Sequence, residues 1–124
     1  LGCQTCHTGP AMGGQSFEYA DLKGDFFGGR AKTNDDNGLM NFTKKETDKH
    51  RFRVPTLRNV ELTWPYMHDA SAQTLEEAIT KMYHYQLGYD KLDKTEVRLL
   101  VAFLKTLTGE YQGKPVRGEV CPAP

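Results

Sequence analysis

Cys3, Cys6 and His7 stand together as C-Q-T-C-H. Two thiols three residues apart, followed at once by an imidazole, form the attachment signature of a c-type haem. On a short helical turn both thiols lie on one face, within reach of the two vinyl groups of a porphyrin. The imidazole then projects at the iron as proximal ligand. A bare C-x-x-C also serves as half of a zinc site, but no second C-x-x-C follows and Cys121 stands alone. It serves too as a thioredoxin-like redox pair, but no βαβ pattern surrounds it. The adjacent His7 weighs against both. Attachment of this kind implies export, so a periplasmic or otherwise extracytoplasmic location is expected.

The iron has a sixth position. Water or a vacancy there permits peroxide or oxygen chemistry, and a strong second ligand favours electron transfer. The candidates are Met12, Met40, Met67, Met82, His50, His68 and His84. Met12 is too close to His7, because so short a connection, at roughly 3.3 Å per residue, leaves little slack to pass the macrocycle edge. Met40 lies in a polar loop. His68 and His84 would each give bis-histidine coordination, although a lone histidine is more often a hydrogen-bonding or surface residue. Met82 lies on an apolar helix face, where ordinary core packing is the commoner role, and Met67 in W-P-Y-M-H is its rival. Pattern alone does not separate the two.

Two helices must position these groups. Thr74 to Glu77 reads as a capping box, and Leu75, Ala78, Ile79 and Met82 follow at helical spacing, with Gly88 as terminator. Asp93 to Glu96 marks a second start, with Val97, Leu100, Val101 and Leu104 on one face and Gly109 closing it. Residues 8–50, rich in Gly, Asn, Asp and Lys, form a long loop region with one short helix at most, a length that usually means wrapping around a ligand or partner. Residues 51–70, broken by Pro55 and Pro65, predict an extended segment and a short helical turn. The expected class is mostly α, a c-type cytochrome domain with long loops wrapped around one covalent haem. Residues 1–109 form that domain, and residues 110–124 an extended tail.

The 124 residues carry 16 Lys plus Arg against 16 Asp plus Glu. That balance offers no global electrostatic ground for binding nucleic acid or an acidic membrane. No apolar run approaches the roughly 20 residues of a membrane span. Hydrophobic residues make up 38%, with 12 Gly and 6 Pro, a thin core that a covalent porphyrin would supplement. Of three cysteines only Cys121, in G-E-V-C-P-A-P, is left over. It reads as a free thiol in a loose terminus, with an intermolecular or interdomain disulfide as the alternative. The chain starts two residues before Cys3, where a c-type domain ordinarily has a helix, so a piece of a longer protein is expected.

Several stretches are more specific than C-x-x-C-H. They are C-Q-T-C-H-T-G with G-G-Q, D-N-G, F-T-K, F-R-V-P-T-L-R-N-V-E-L-T-W-P-Y-M-H-D-A, L-E-E-A-I-T-K-M, Y-Q-L-G and V-A-F-L-K-T-L-T-G. From Leu1 to about Gly109 the chain resembles the C-terminal, electron-transferring domain of bacterial di-haem cytochrome c peroxidases. The resemblance implies a high-potential haem c with His7 and Met82 as axial ligands, the position of Met67 being commonly aromatic there. In the related MauG enzymes, which oxidise tryptophans of a partner protein, the Met82 position is tyrosine. The resemblance also implies interdomain calcium bound by the backbone carbonyls of Thr63 and Pro65, carbonyl oxygen suiting a hard cation. Trp64 between them is expected to pack at an interface first and relay electrons second. Arg53 and Arg58 match family arginines near the haems, and Arg58 would pair a haem propionate. The plainer reading is a solvated basic stretch with Arg51, Lys44, Lys45 and Lys49.

The implied parent reduces hydrogen peroxide to water in the periplasm with electrons from a small donor cytochrome or cupredoxin, and a homodimer of it is expected. Its peroxidatic haem domain is absent here, since no second C-x-x-C-H occurs. The alternatives are a stand-alone mono-haem electron carrier and a MauG-like protein-oxidising enzyme.

Overall fold

A computed structural model describes residues 2–118. Cys121 lies outside the described residues. The regular elements are β1 (Phe17–Tyr19), α1 (Met40–Thr43), β2 (Arg51–Arg53), α2 (Leu75–Tyr85), α3 (Lys94–Lys105), β3 (Glu110–Tyr111) and β4 (Lys114–Pro115). Short 3-10 turns lie at Cys3–Thr5, Asn34–Asn37, Glu46–Asp48 and Val60–Leu62. The domain is therefore mixed α/β, 34% helical and 12% strand, in place of the mostly α class expected. Gly, Pro and Asn keep the first 74 residues out of long helices. Their backbone groups find partners in tight turns and in the antiparallel pair β1–β2, where Glu18 faces Phe52.

Both predicted helices form. The Thr74 side chain accepts a hydrogen bond from the Glu77 backbone N–H at 3.1 Å, but the Glu77 carboxylate reaches one residue further back, to the N–H of Gln73 at 2.6 Å. The N–H of Gly88 closes α2 on the His84 carbonyl at 3.0 Å. At α3 the box is complete, Asp93 capping Thr95 and Glu96 reaching back to Asp93. Gly109 does not end α3. The helix stops at Lys105, and the Gly109 N–H instead meets the Asn59 side chain at 2.9 Å. Beyond it, residues 110–115, where an extended tail is expected, form the β3–β4 hairpin.

α2 and α3 pack on each other around Tyr66, Ala72, Leu75 and Val101, flanked by Ala78, Ile79, Val97 and Leu104. Leu75, Ala78, Ile79, Val97, Val101 and Leu104 are positions that helical spacing predicts, whereas Met82 and Leu100, predicted on the same faces, lie outside this cluster. The outer face of α3 leaves Leu99 and Phe103 exposed. Among the described residues no helix is long and apolar enough to cross a membrane.

Candidate functional site

The C-Q-T-C-H segment opens with a 3-10 turn, Cys3–Thr5. The N–H groups of Cys6 and His7 donate to the Cys3 carbonyl at 3.3 and 3.0 Å. In such a turn residues three apart eclipse one another, so the two thiols share a side. Both are free, Cys3 exposed and Cys6 half-buried. Burial pushes the Cys6 thiol above its usual range, and the charges of Glu18 and Cys3 add to the shift. Among the described residues no group of three or more His, Cys, Asp or Glu could hold a metal ion.

His7 is held by the ring nitrogen nearer its own backbone. Nδ1 lies 3.2 Å from the Met12 carbonyl and 3.1 Å from the Pro55 carbonyl. Carbonyls only accept, so Nδ1 carries the proton and Nε2 presents its lone pair. The Pro55 contact spans a gap of 48 residues and belongs to a longer seam. Gly14 N–H donates to Val54 O at 2.7 Å, Val54 N–H to Ser16 O at 2.8 Å, and Leu57 N–H to Met12 O at 3.2 Å. The Thr56 hydroxyl donates to the Ala11 carbonyl. Residues 51–58 thus form a strap along the loop that follows His7. Gly13 makes the crossing possible, because a Cβ there would lie 2.0 Å from the Pro55 oxygen.

Arg58 is part of the same seam. Its Nε donates to the Pro10 carbonyl at 3.1 Å, so one of its five donors is used on the loop. Its terminal nitrogens make no hydrogen bond among the described residues, and the side chain is exposed. Arg53 is exposed too, with a guanidinium nitrogen beside Gly14.

The candidates for the sixth position separate by their partners. His50 Nδ1 pairs with Asp21 at 2.9 Å, His68 Nε2 with Asp36 at 2.7 Å, and His84 Nδ1 faces the Tyr89 carbonyl at 3.3 Å. Met67 packs against the α2–α3 core, whereas Met82, half-buried on α2, lies outside that cluster. No hydrogen bond joins Met82 to the His7 loop. A cleft of about 660 Å³ opens between Gly2, next to Cys3, and Tyr83, Gln86 and Leu87 at the end of α2. The cleft is open to solvent, and neither His7 nor Met82 lines it.

Thr63 and Pro65 lie elsewhere, on the exposed side of the core, flanking a cis Trp64–Pro65 peptide. The Thr63 hydroxyl donates to the Val60 carbonyl at 3.0 Å, and the Thr63 backbone takes part in a β-bridge. Trp64 packs against the core, and its buried Nε1–H finds no partner there.

Sequence reasoning missed the carbonyls of Met12 and Pro55 that hold His7. It also missed Asp36, 1% exposed, which ties Arg30 and His68 together. Backbone acceptors have no residue-type signature. The only hint was the run of small residues after His7 facing a Pro-containing extended block.

No protein-family model matches the chain. Over 109 residues it is 48% identical to cytochrome c551 peroxidase of Nitrosomonas europaea and 49% identical to cytochrome c peroxidase Ccp of Escherichia coli. Each match covers 88% of this chain, but only 31% and 23% of those proteins. The chain thus spans less than a third of their length. Among solved structures it is similar to a MauG-like protein associated with microbial copper homeostasis, at a TM-score of 0.66 and 30% identity, over 85% of this chain and 39% of the other.

Proposed function

We infer that this chain, a domain of the cytochrome c peroxidase and MauG family, holds one covalent haem c and serves as the electron-transferring part of a periplasmic enzyme that reduces hydrogen peroxide to water. The observation that carries the reading is His7. Two thiols on one 3-10 turn stand beside an imidazole whose Nδ1 is tied to two carbonyls, leaving Nε2 as the free donor. A second hydrogen bond on the far nitrogen is how proteins orient a metal-bound imidazole and raise its basicity. The donor set therefore fits a porphyrin iron, with Cys3 and Cys6 as thioether anchors.

A bound haem c would supply a one-electron couple between ferric and ferrous iron. The residues of this chain do the rest. His7 and Met82 would hold the iron, and the soft thioether of Met82 would favour the reduced metal and raise the potential. With both positions filled, no open site remains for peroxide, so that chemistry belongs to the part of the relatives that this chain does not match. Arg58 holds the Pro10 turn by Nε and offers its terminal nitrogens to a propionate. The Thr63 and Pro65 carbonyls, hard oxygen donors, suit calcium at a boundary with that other part. Electrons come from a small donor cytochrome or cupredoxin, and the parent enzyme forms a homodimer.

The reading is tested by intact mass and haem content of the chain, produced where c-type haem is attached. One haem per chain, lost together in Cys3→Ala and Cys6→Ala, is expected. A wild-type chain that takes up no covalent haem would overturn it. The full-length protein should carry two haems, and a single one would favour the mono-haem carrier.

A further inference from the structure

Asp36 is the most buried large side chain in the described domain, and it is charged. Arg30 meets it with two nitrogens, at 2.8 and 2.6 Å, and the Thr33 N–H donates at 2.6 Å. The remaining face of the carboxylate, at Oδ1, accepts from His68 Nε2 at 2.7 Å. Arg30 continues to Asp69, the residue after His68, at 3.1 Å. A two-pronged guanidinium, a backbone amide and an imidazole give the buried charge the partners that its desolvation demands.

The His68 ring is thereby fixed, and it lies flat on Phe52, with centroids 4.2 Å apart and planes 26° from parallel. Phe52 sits in β2, three residues before Pro55. The same 33–39 loop also grips β2 directly, with Leu39 N–H donating to Arg51 O at 2.7 Å. That approach needs Gly38, where a Cβ would lie 2.3 Å from the Arg51 oxygen. β2 is therefore clamped on one side by the Asp36 loop and the His68 ring, and on the other by β1. The strap it feeds ends at the Pro55 carbonyl on His7.

We propose that Asp36 and His68 are positioning residues, which set the plane of the His7 imidazole by holding β2 and the Pro55 carbonyl in register. The proposal rests on the haem reading above. Nothing is transferred at His68, which acts through Phe52 and the backbone. The essential element is the hydrogen bond from His68 Nε2 to Asp36, because without it the ring has no fixed seat on Phe52.

Two substitutions separate this from plain stabilisation. His68→Phe keeps an aromatic ring among Phe26, Phe27 and Phe52 and deletes the donor. His68→Gln deletes the ring and keeps a donor for Asp36. The readouts on the haem-loaded protein are the low-spin EPR g values and the haem methyl NMR shifts, both of which follow the plane of an axial imidazole, with thermal melting alongside. Both variants are expected to shift both spectra, His68→Phe because the tie to Asp36 is lost and His68→Gln because the ring on Phe52 is lost. Wild-type spectra in His68→Phe, even with a lower melting temperature, would overturn the proposal. Wild-type spectra in His68→Gln would also overturn it, and they decide the matter if His68→Phe fails to fold. A wild-type chain without haem would instead defeat the reading on which the proposal rests.

Discussion

The Nδ1 atom of His7 lies 3.1 Å from the carbonyl oxygen of Pro55. One end of this contact belongs to the C-x-x-C-H segment and the other to the R-F-R-V-P-T-L-R block. A motif that could be read alone is thus oriented by residues far along the chain.

Gly13 is the point where the two backbones cross most closely, and substitution there tests the seam. Its φ is +139°, and an alanine Cβ would sit 2.0 Å from the Pro55 oxygen. The backbones must separate to admit it. Gly13→Ala is expected to destabilise the chain by about 1–3 kcal/mol, the usual scale of overpacking, and to lower the yield of covalent haem. Thermal melting and haem content after purification check both effects. A Gly13→Ala protein with wild-type melting and full haem would contradict the seam as described.

Met82 stands outside the α2–α3 core, whereas Met67 is packed into it. The two residues should therefore respond oppositely to replacement. Met82→Ala or Met82→His is expected to lower the haem potential and change the ligand-field spectrum, with little loss of stability. Met67→Ala should leave the spectrum alone and lower stability by about 2 kcal/mol, the low end for a core methionine, since Met67 is only half-buried. Redox titration, visible spectra and denaturation of the same samples decide between them.

Much of this arrangement was legible. Period and capping residues placed α2 and α3, because those signals are local. The types and spacing of Cys3, Cys6 and His7 pointed to haem attachment for the same reason. What was not legible depends on contacts between distant backbones. No pattern in residues 8–50 announces that Gly14 will bond Val54, or that Asp36 will be buried under His68. A run of Asn and Asp reads as a solvated turn, and only the arrival of Arg30 makes burial of one of them tolerable. Gly109 illustrates the same limit: it looked like a helix stop but serves as a docking point for the Asn59 side chain.

The buried Asp36 predicts an acid-sensitive fold. Arg30 beside it, with help from His68 and the Thr33 amide, holds its carboxyl well below the usual carboxylate range, against the opposing effect of burial. A carboxyl whose folded pKa is depressed contributes stability that is fully present above its unfolded value, about 4. That stability falls away as the pH drops below this value. Asp36→Asn should therefore lower stability at neutral pH and flatten its decline below pH 4. The loss should lie near the low end of the roughly 3–5 kcal/mol seen when one partner of a buried pair is removed, since Arg30 is 36% exposed and solvent screens it. Urea titrations of both proteins across this range test the sign. An equal acid decline in the two would show that other carboxylates govern it.

Peroxide chemistry requires an open coordination site, and the proposed His7–Met82 pair leaves none. The haem-loaded chain, given hydrogen peroxide and a reduced small cytochrome, should exchange electrons with the donor but turn over peroxide slowly. Met82→Ala opens the sixth position, so the same assay on that variant should show faster peroxide consumption together with a high-spin spectrum. The paired measurement separates two explanations of a slow wild-type rate. If the rate is set by the closed coordination sphere, opening it raises turnover. If Met82→Ala stays low-spin and slow, another side chain has taken its place, and His84, whose side-chain hydrogen bonding among the described residues is just the 3.3 Å contact from Nδ1 to the Tyr89 carbonyl, becomes the next residue to replace. Robust turnover by the wild-type chain would mean that peroxide reaches this iron directly, and the division of labour proposed between this domain and the rest of the enzyme would be wrong.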